Sequence, residues 1–151
     1  MAKAAIIGAM YYALTTLLAP ISFNAVQLRA SEALNMLVYL TPAAIPGLFV
    51  GCALANLSSP FGLIDILCGS LATLLSGLVA VKIKNKWLVG LPCVFFNALI
   101  VGGVIAYCSS VPFWPAALTV GIGQLISVYL FGMPLLIACE KNSRLSSLFK
   151  K

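Results

Sequence analysis

Glu32, Asp65 and Glu140 are the only acidic residues in the chain. Glu32 lies in the stretch ISFNAVQLRASEALNMLVYL, between Gln27 and Arg29 on one side and Asn35 on the other. Further polar side chains interrupt apolar runs at Asn56, Asp65, Asn97 and Gln124. A carboxylate accepts two adjacent N–H donors, a carboxamide offers an acceptor and a donor together, and a guanidinium donates in a fork. This set suits recognition by hydrogen bonding rather than covalent chemistry. The chain has no histidine, so neither a Ser–His–Asp nor a Cys–His arrangement exists. A paired-carboxylate site would need Glu32 to meet Asp65, and nothing in the sequence indicates that they do. No G-x-x-x-x-G-K-[ST] stretch is present, so the chain does not hydrolyse ATP. Cys52, Cys68, Cys93, Cys108 and Cys139 lie inside apolar runs with no C-x-x-C spacing; zinc or haem ligation is unsupported, and they read as small packing residues.

Each polar residue also has a plainer role. Intramembrane Asn and Gln tie one helix to another, at about 0.6–2 kcal/mol each. Asp65 follows the turn after Pro60, where it suits the N-terminus of a helix. Arg29 and Glu32 are three residues apart, the spacing of a local ion pair.

The elements that position these residues follow from composition. Apolar residues make up 62 % of the chain and charged residues 8 %, with a mean hydropathy of +1.11. A soluble domain carries about a quarter charged residues, so this is an integral membrane protein, a single all-α domain over residues 1–151. Lys3 alone precedes the first apolar run, which is expected to be a retained span rather than a signal peptide. Four runs are plain, at about Ala4–Ala19, Leu63–Val81, Leu88–Cys108 and Phe113–Cys139. Between them Ser31–Leu57 contains TPAAIP, and Pro42 and Pro46 each break a helical ladder.

Charge settles whether that segment crosses once or twice. Lys82, Lys84 and Lys86 form one basic cluster, and Lys141, Arg144, Lys150 and Lys151 another. Only if Ser31–Leu57 is a hairpin do both share a side with Lys3, as the positive-inside rule requires. The same placement speaks for cytoplasmic loops near anionic lipid and against nucleic acid. Six helices with both termini cytoplasmic result. The stretch around Glu32 then becomes the first extracellular loop. Asn97 and Gln124 each fall about eleven residues, roughly 17 Å, below the outer surface. Asn35, Asn56 and Asp65 fall nearer the outer rim, so a pocket in the extracellular half is expected. Phe23, Phe113 and Trp114 lie at the outer interface, where aromatic residues are ordinary. On the first helix, Ala5, Ala9 and Ala13 repeat every four residues with Gly8 beside them, a smooth stripe suited either to internal packing or to docking another membrane subunit.

The long segment ISFNAVQLRASEALNMLVYLTPAAIPGLFVGCALANLSSPFGLIDILCGSLATLLSGLVA resembles the QueT family, as do LPCVFFNALIVG, PFWPAALTVGIGQLISVYLFGMPLL and the closing CEK. The family comprises substrate-binding S components of energy-coupling-factor (ECF) transporters, associated with uptake of queuosine precursors. The resemblance implies six helices and a plasma-membrane location. It implies partners too: a transmembrane coupling protein (EcfT) and two ATPase subunits that use the ATP, the S component carrying no cofactor. It further implies that Ala5, Ala9 and Ala13 contact the coupling protein, and that the S component topples within the membrane to deliver its ligand.

A 7-deazaguanine-like ligand offers two adjacent N–H donors and a carbonyl. Glu32 suits the donors, and Asn97 and Gln124 suit the carbonyl side, with Phe23 or Trp114 stacked on the ring. An aminomethyl cation would pair with Glu32 or Asp65, and Arg29 would brace the loop through Gln27 or Glu32, or reach the carbonyl. Two departures stand out: NAV follows ISF where a Gly-Pro-like pair is expected, and Gln124 stands where relatives often carry glutamate. Alternatives to this function are an S component for another small vitamin and a membrane scaffold whose polar residues only join helices.

Overall fold

A computed structural model describes residues 1–22 and 28–142, with side chains from 1–20 and 28–142. Phe23 and Gln27, with Arg144, Lys150 and Lys151 of the terminal basic cluster, lie outside the described residues. Those described are helical, with no strand among them. In chain order they form α1 (Ala2–Leu17), the short α2 (Ala19–Ser22), a 3-10 helix (Ala30–Tyr39), α3 (Ala44–Ala55), α4 (Leu63–Ala80) and α5 (Leu91–Ser109). The last rod is α6 (Phe113–Leu125), a π-helical turn (Ile126–Gly132) and α7 (Met133–Lys141). Six helical rods result, as the charge pattern requires. Three of them are long and apolar enough to cross a bilayer, at Leu63–Ala80, Leu91–Ser109 and Phe113–Lys141.

The segment Ser31–Leu57 is the expected hairpin, turning at Pro42 through Thr41 N–H to Leu37 O and Ile45 N–H to Pro42 O. Its first arm is not an α-helix. A 3-10 helix rises about 2.0 Å per residue against 1.5 Å for an α-helix, so ten residues reach about 20 Å. The extra rise carries a short sequence deep into the bundle.

Three residues per turn also sort its side chains onto three edges. Glu32 and Asn35 eclipse on one edge, where Asn35 Nδ2 donates to Glu32 Oε2 at 2.5 Å. Leu34 and Leu37 are buried in the main apolar core with Ile7, Leu48 and Leu136. Ala33 and Met36 face the π turn, where a Cβ on Gly132 would meet Met36 Cγ at 2.7 Å and Ala33 O at 2.9 Å. Only glycine admits that approach. Pro134, at the start of α7, lacks the N–H that would continue the α-helical ladder, a local reason for the wider turn just before it.

α1, α3, α4, the π turn and α7 pack around this 3-10 rod. α1 packs on α3, α3 on α4, α4 on α5 and α5 on α6. The α1–α3 contact is backbone to backbone: a Cβ on Gly47 would lie 2.4 Å from Ala4 O. Gly8 and Ala4 therefore belong to the internal face of α1, whereas Ala5, Ala9 and Ala13 are exposed. The small residues of α1 form two faces, one packed and one open. At the inner end, Lys86 Nζ reaches Glu140 Oε2 at 3.1 Å and Tyr129 Oη donates to Trp87 O, fastening the α4–α5 loop to the last rod.

Candidate functional site: a buried carboxylate between two carboxamides

Glu32 is 0 % exposed. It is not on an extracellular loop, as the charge pattern alone suggests, because the 3-10 helix takes it inside. Its Oε1 accepts from Tyr11 Oη on α1 at 2.5 Å, and its Oε2 accepts from Asn35 Nδ2 and from Cys93 Sγ, 3.3 Å away on α5. All three donors are uncharged, and among the described residues no cation lies within ion-pair distance of Glu32. Intramembrane ionisable groups are costly and mark functional positions. Here three hydrogen bonds offset part of that cost, with Arg29 near enough to attract the carboxylate but not to pair with it.

Cys93 joins Glu32 to both carboxamides. Its Sγ lies 3.5 Å from Gln124 Oε1 on α6 and 3.4 Å from Asn97 Nδ2, which also donates to Cys93 O one turn back. The equal depth anticipated for Asn97 and Gln124 is what lets them share this sulfur. Asn97 and Gln124 are each 1 % exposed. Each spends one end of its carboxamide here and leaves the other, Asn97 Oδ1 and Gln124 Nε2, without a protein partner among the described residues. Asn35 Oδ1 accepts from Ser76 on α4 at 3.5 Å, and Thr15 donates to Ser31 beside Tyr11. Ser76 is thirteen residues into α4, about 20 Å from its outer end. Asn35 thus lies well below the outer end of α4 rather than at the rim.

A second polar group lies nearer the outer end. Arg29 Nη2 reaches Asp65 Oδ2 at 3.1 Å, and Ser59 Oγ donates to the same oxygen at 2.6 Å. Asn56 Nδ2 donates to the Asp65 carbonyl at 2.9 Å. The local Arg29–Glu32 pair suggested by sequence spacing is not formed. Arg29 instead reaches across to α4, where Asp65 is buried and makes no capping bond. Asp65 is in direct contact with Arg29, whereas Glu32 feels it only at longer range. Trp114 is 72 % exposed on α6 and packs edge-on against Phe113 at 5.2 Å; the structure does not bring it to Glu32. The aromatic residue at the carboxylate is Tyr11.

Sequence reasoning missed Tyr11 and Cys93. For Tyr11 a signal existed, a hydroxyl on the internal side of the alanine stripe. For Cys93 there was none, since its role arises only when three rods converge.

A multi-span helical protein with a buried hydrogen-bonding cluster and no ATP-binding loop has the makings of a membrane substrate-binding subunit. The chain belongs to the QueT transporter family, whose model matches residues 1–141. That family is the queuosine-precursor S component of ECF transporters, a multi-pass plasma-membrane protein that works with membrane and ATPase subunits. No curated protein and no solved structure matches the chain.

Proposed function

We propose that the Glu32 cluster is where the S component holds its ligand, a 7-deazaguanine-type base. The observation that carries this is a fully buried carboxylate with no ion-pair partner among the described residues, flanked by two carboxamides that each keep one end unspent. Glu32 accepts the two adjacent N–H donors of the guanine-like edge, displacing Asn35 and the Cys93 thiol from Oε2. Gln124 Nε2 donates to the carbonyl, and Asn97 Oδ1 accepts a ring N–H. A cationic aminomethyl substituent would be attracted to Glu32, because Arg29 already compensates Asp65. Arg29, Asn56 and Asp65 act as a brace at the outer end. Trp114, exposed on α6, is then at most a contact made as the ligand enters from outside.

The exposed Ala5, Ala9 and Ala13 supply the second half of the function. Ala5 and Ala9, with Tyr12, Pro46, Val50 and Leu54, line an open apolar groove of about 720 Å3 between α1 and α3. A flat alanine face lets another helix approach closely. We assign it to the transmembrane coupling protein (EcfT), whose two ATPase subunits bind and hydrolyse the ATP; this chain contributes no cofactor. Docking there would couple ligand delivery to that hydrolysis.

Uptake of a radiolabelled 7-deazaguanine precursor by cells carrying the chain and a coupling module tests the proposal. Glu32→Gln and Asn97→Ala should each abolish uptake at unchanged expression. Undiminished uptake in both variants argues that these residues only join helices.

A further inference from the structure

We propose that Cys93 is a positioning residue that fixes the polarity of the ligand site, and with it the choice between a carbonyl and an amine on the ligand edge; this rests on the function proposed above. A carboxamide is nearly symmetric in shape, so what it presents to a ligand depends on which end is held. Both carboxamides are held by Cys93, Gln124 through the sulfur and Asn97 through the sulfur and the backbone oxygen. The single S–H of Cys93 has two acceptors within reach, Glu32 Oε2 at 3.3 Å and Gln124 Oε1 at 3.5 Å, and a ligand that takes Glu32 Oε2 leaves it to Gln124. Its lone pairs accept from Asn97 Nδ2 at 3.4 Å, reinforced by the bond from Asn97 Nδ2 to Cys93 O at 3.0 Å.

Holding Gln124 by its oxygen turns its N–H2 group, a pure donor, toward the ligand. Holding Asn97 by its nitrogen leaves its oxygen, a pure acceptor. Gln124 Nε2 is without a protein partner among the described residues on a side chain 1 % exposed, so its orientation rests on the Cys93 contact and on packing. A ligand carbonyl satisfies that N–H2 group. An amine at the same place would meet donor with donor.

Alanine at 93 removes both the S–H and the acceptor while adding no bulk. Gln124 is then free to turn its oxygen to the ligand, and discrimination falls. Serine keeps one donor and one acceptor at nearly the same place.

The test is a pair of dissociation constants, for 7-deazaguanine and for its 2,6-diamino counterpart, in which an amine replaces the carbonyl and the adjacent ring N–H becomes an acceptor; Glu32 adds to the preference, and the Cys93 variants report the share set by Gln124. A site built to hydrogen-bond one group rejects the mismatched analogue strongly. The wild-type protein should therefore favour 7-deazaguanine on the order of a hundredfold or more. Cys93→Ala should cut that preference at least about tenfold, and Cys93→Ser should keep it within about threefold, since the hydroxyl restores both hydrogen-bonding roles. Equal weakening of both bases in Cys93→Ala, or an unaltered ratio, overturns the proposal, because a residue that merely packs would move both affinities together.

Wild-type protein that binds neither base overturns the function proposed above and this inference with it.

Discussion

Arg29 Nη2 lies 3.1 Å from Asp65 Oδ2, with both side chains almost wholly buried, although Glu32 is the acid nearer to it in sequence. This pairing joins the start of the 3-10 helix to the start of α4 and leaves Glu32 without a direct ion pair among the described residues. Removing one partner of a buried pair strands the other charge, at a cost of about 3–5 kcal/mol. Asp65→Ala should therefore lower the unfolding temperature in detergent markedly. The double variant Arg29→Met with Asp65→Leu should recover much of that loss, because apolar replacements of a buried pair are often tolerated.

Gly132 sits where the π turn meets the 3-10 helix, with no room for a Cβ beside Met36. Gly132→Val should push the 3-10 helix off the π turn, at about 1–3 kcal/mol for overpacking. Thermal unfolding should register that loss, and ligand affinity should fall with it, because Glu32 and Met36 ride on the same rod. The same change at Gly62, where an added Cβ would meet no atom within 4 Å, should leave affinity intact despite its positive φ of 61°.

Ala9 is exposed on the open side of α1, whereas Gly8 beside it is closed against Gly47. Ala9→Trp should leave ligand affinity unchanged and prevent co-purification with the coupling protein and its ATPases. Gly8→Leu should instead damage folding itself, since its Cβ would lie 2.9 Å from Gly47 O. Pull-down yield and melting temperature, measured together, separate the two faces of one helix.

Much of the architecture was legible in the chain. Hydropathy marks the long rods, and the lysine clusters force the hairpin at Pro42. The depth of Asn97 and Gln124 could be counted along two helices. What sequence did not disclose is the helix type of Ala30–Tyr39. Counted as a loop it puts Glu32 outside; as a 3-10 helix, with its longer rise and threefold edges, it carries Glu32 and Asn35 to the level of Ser76. The partner of Arg29 was hidden for a related reason. Local spacing favours Glu32, but the contact that forms spans thirty-six positions and depends on how the rods pack. Cys93 looked like any small apolar residue, and only the convergence of three rods makes it a hub.

Glu32, hydrogen-bonded only to uncharged donors among the described residues, receives the ligand's N–H groups. Isothermal titration of the purified chain with 7-deazaguanine, beside Glu32→Gln, tests it most directly. The wild-type protein should bind at micromolar or tighter concentrations, and Glu32→Gln, with one oxygen replaced by a donor, should lose on the order of a hundredfold, as hydrogen bonds to charged groups are worth about 1.5–3 kcal/mol each. Equal affinity in a well-folded Glu32→Gln protein would contradict the account.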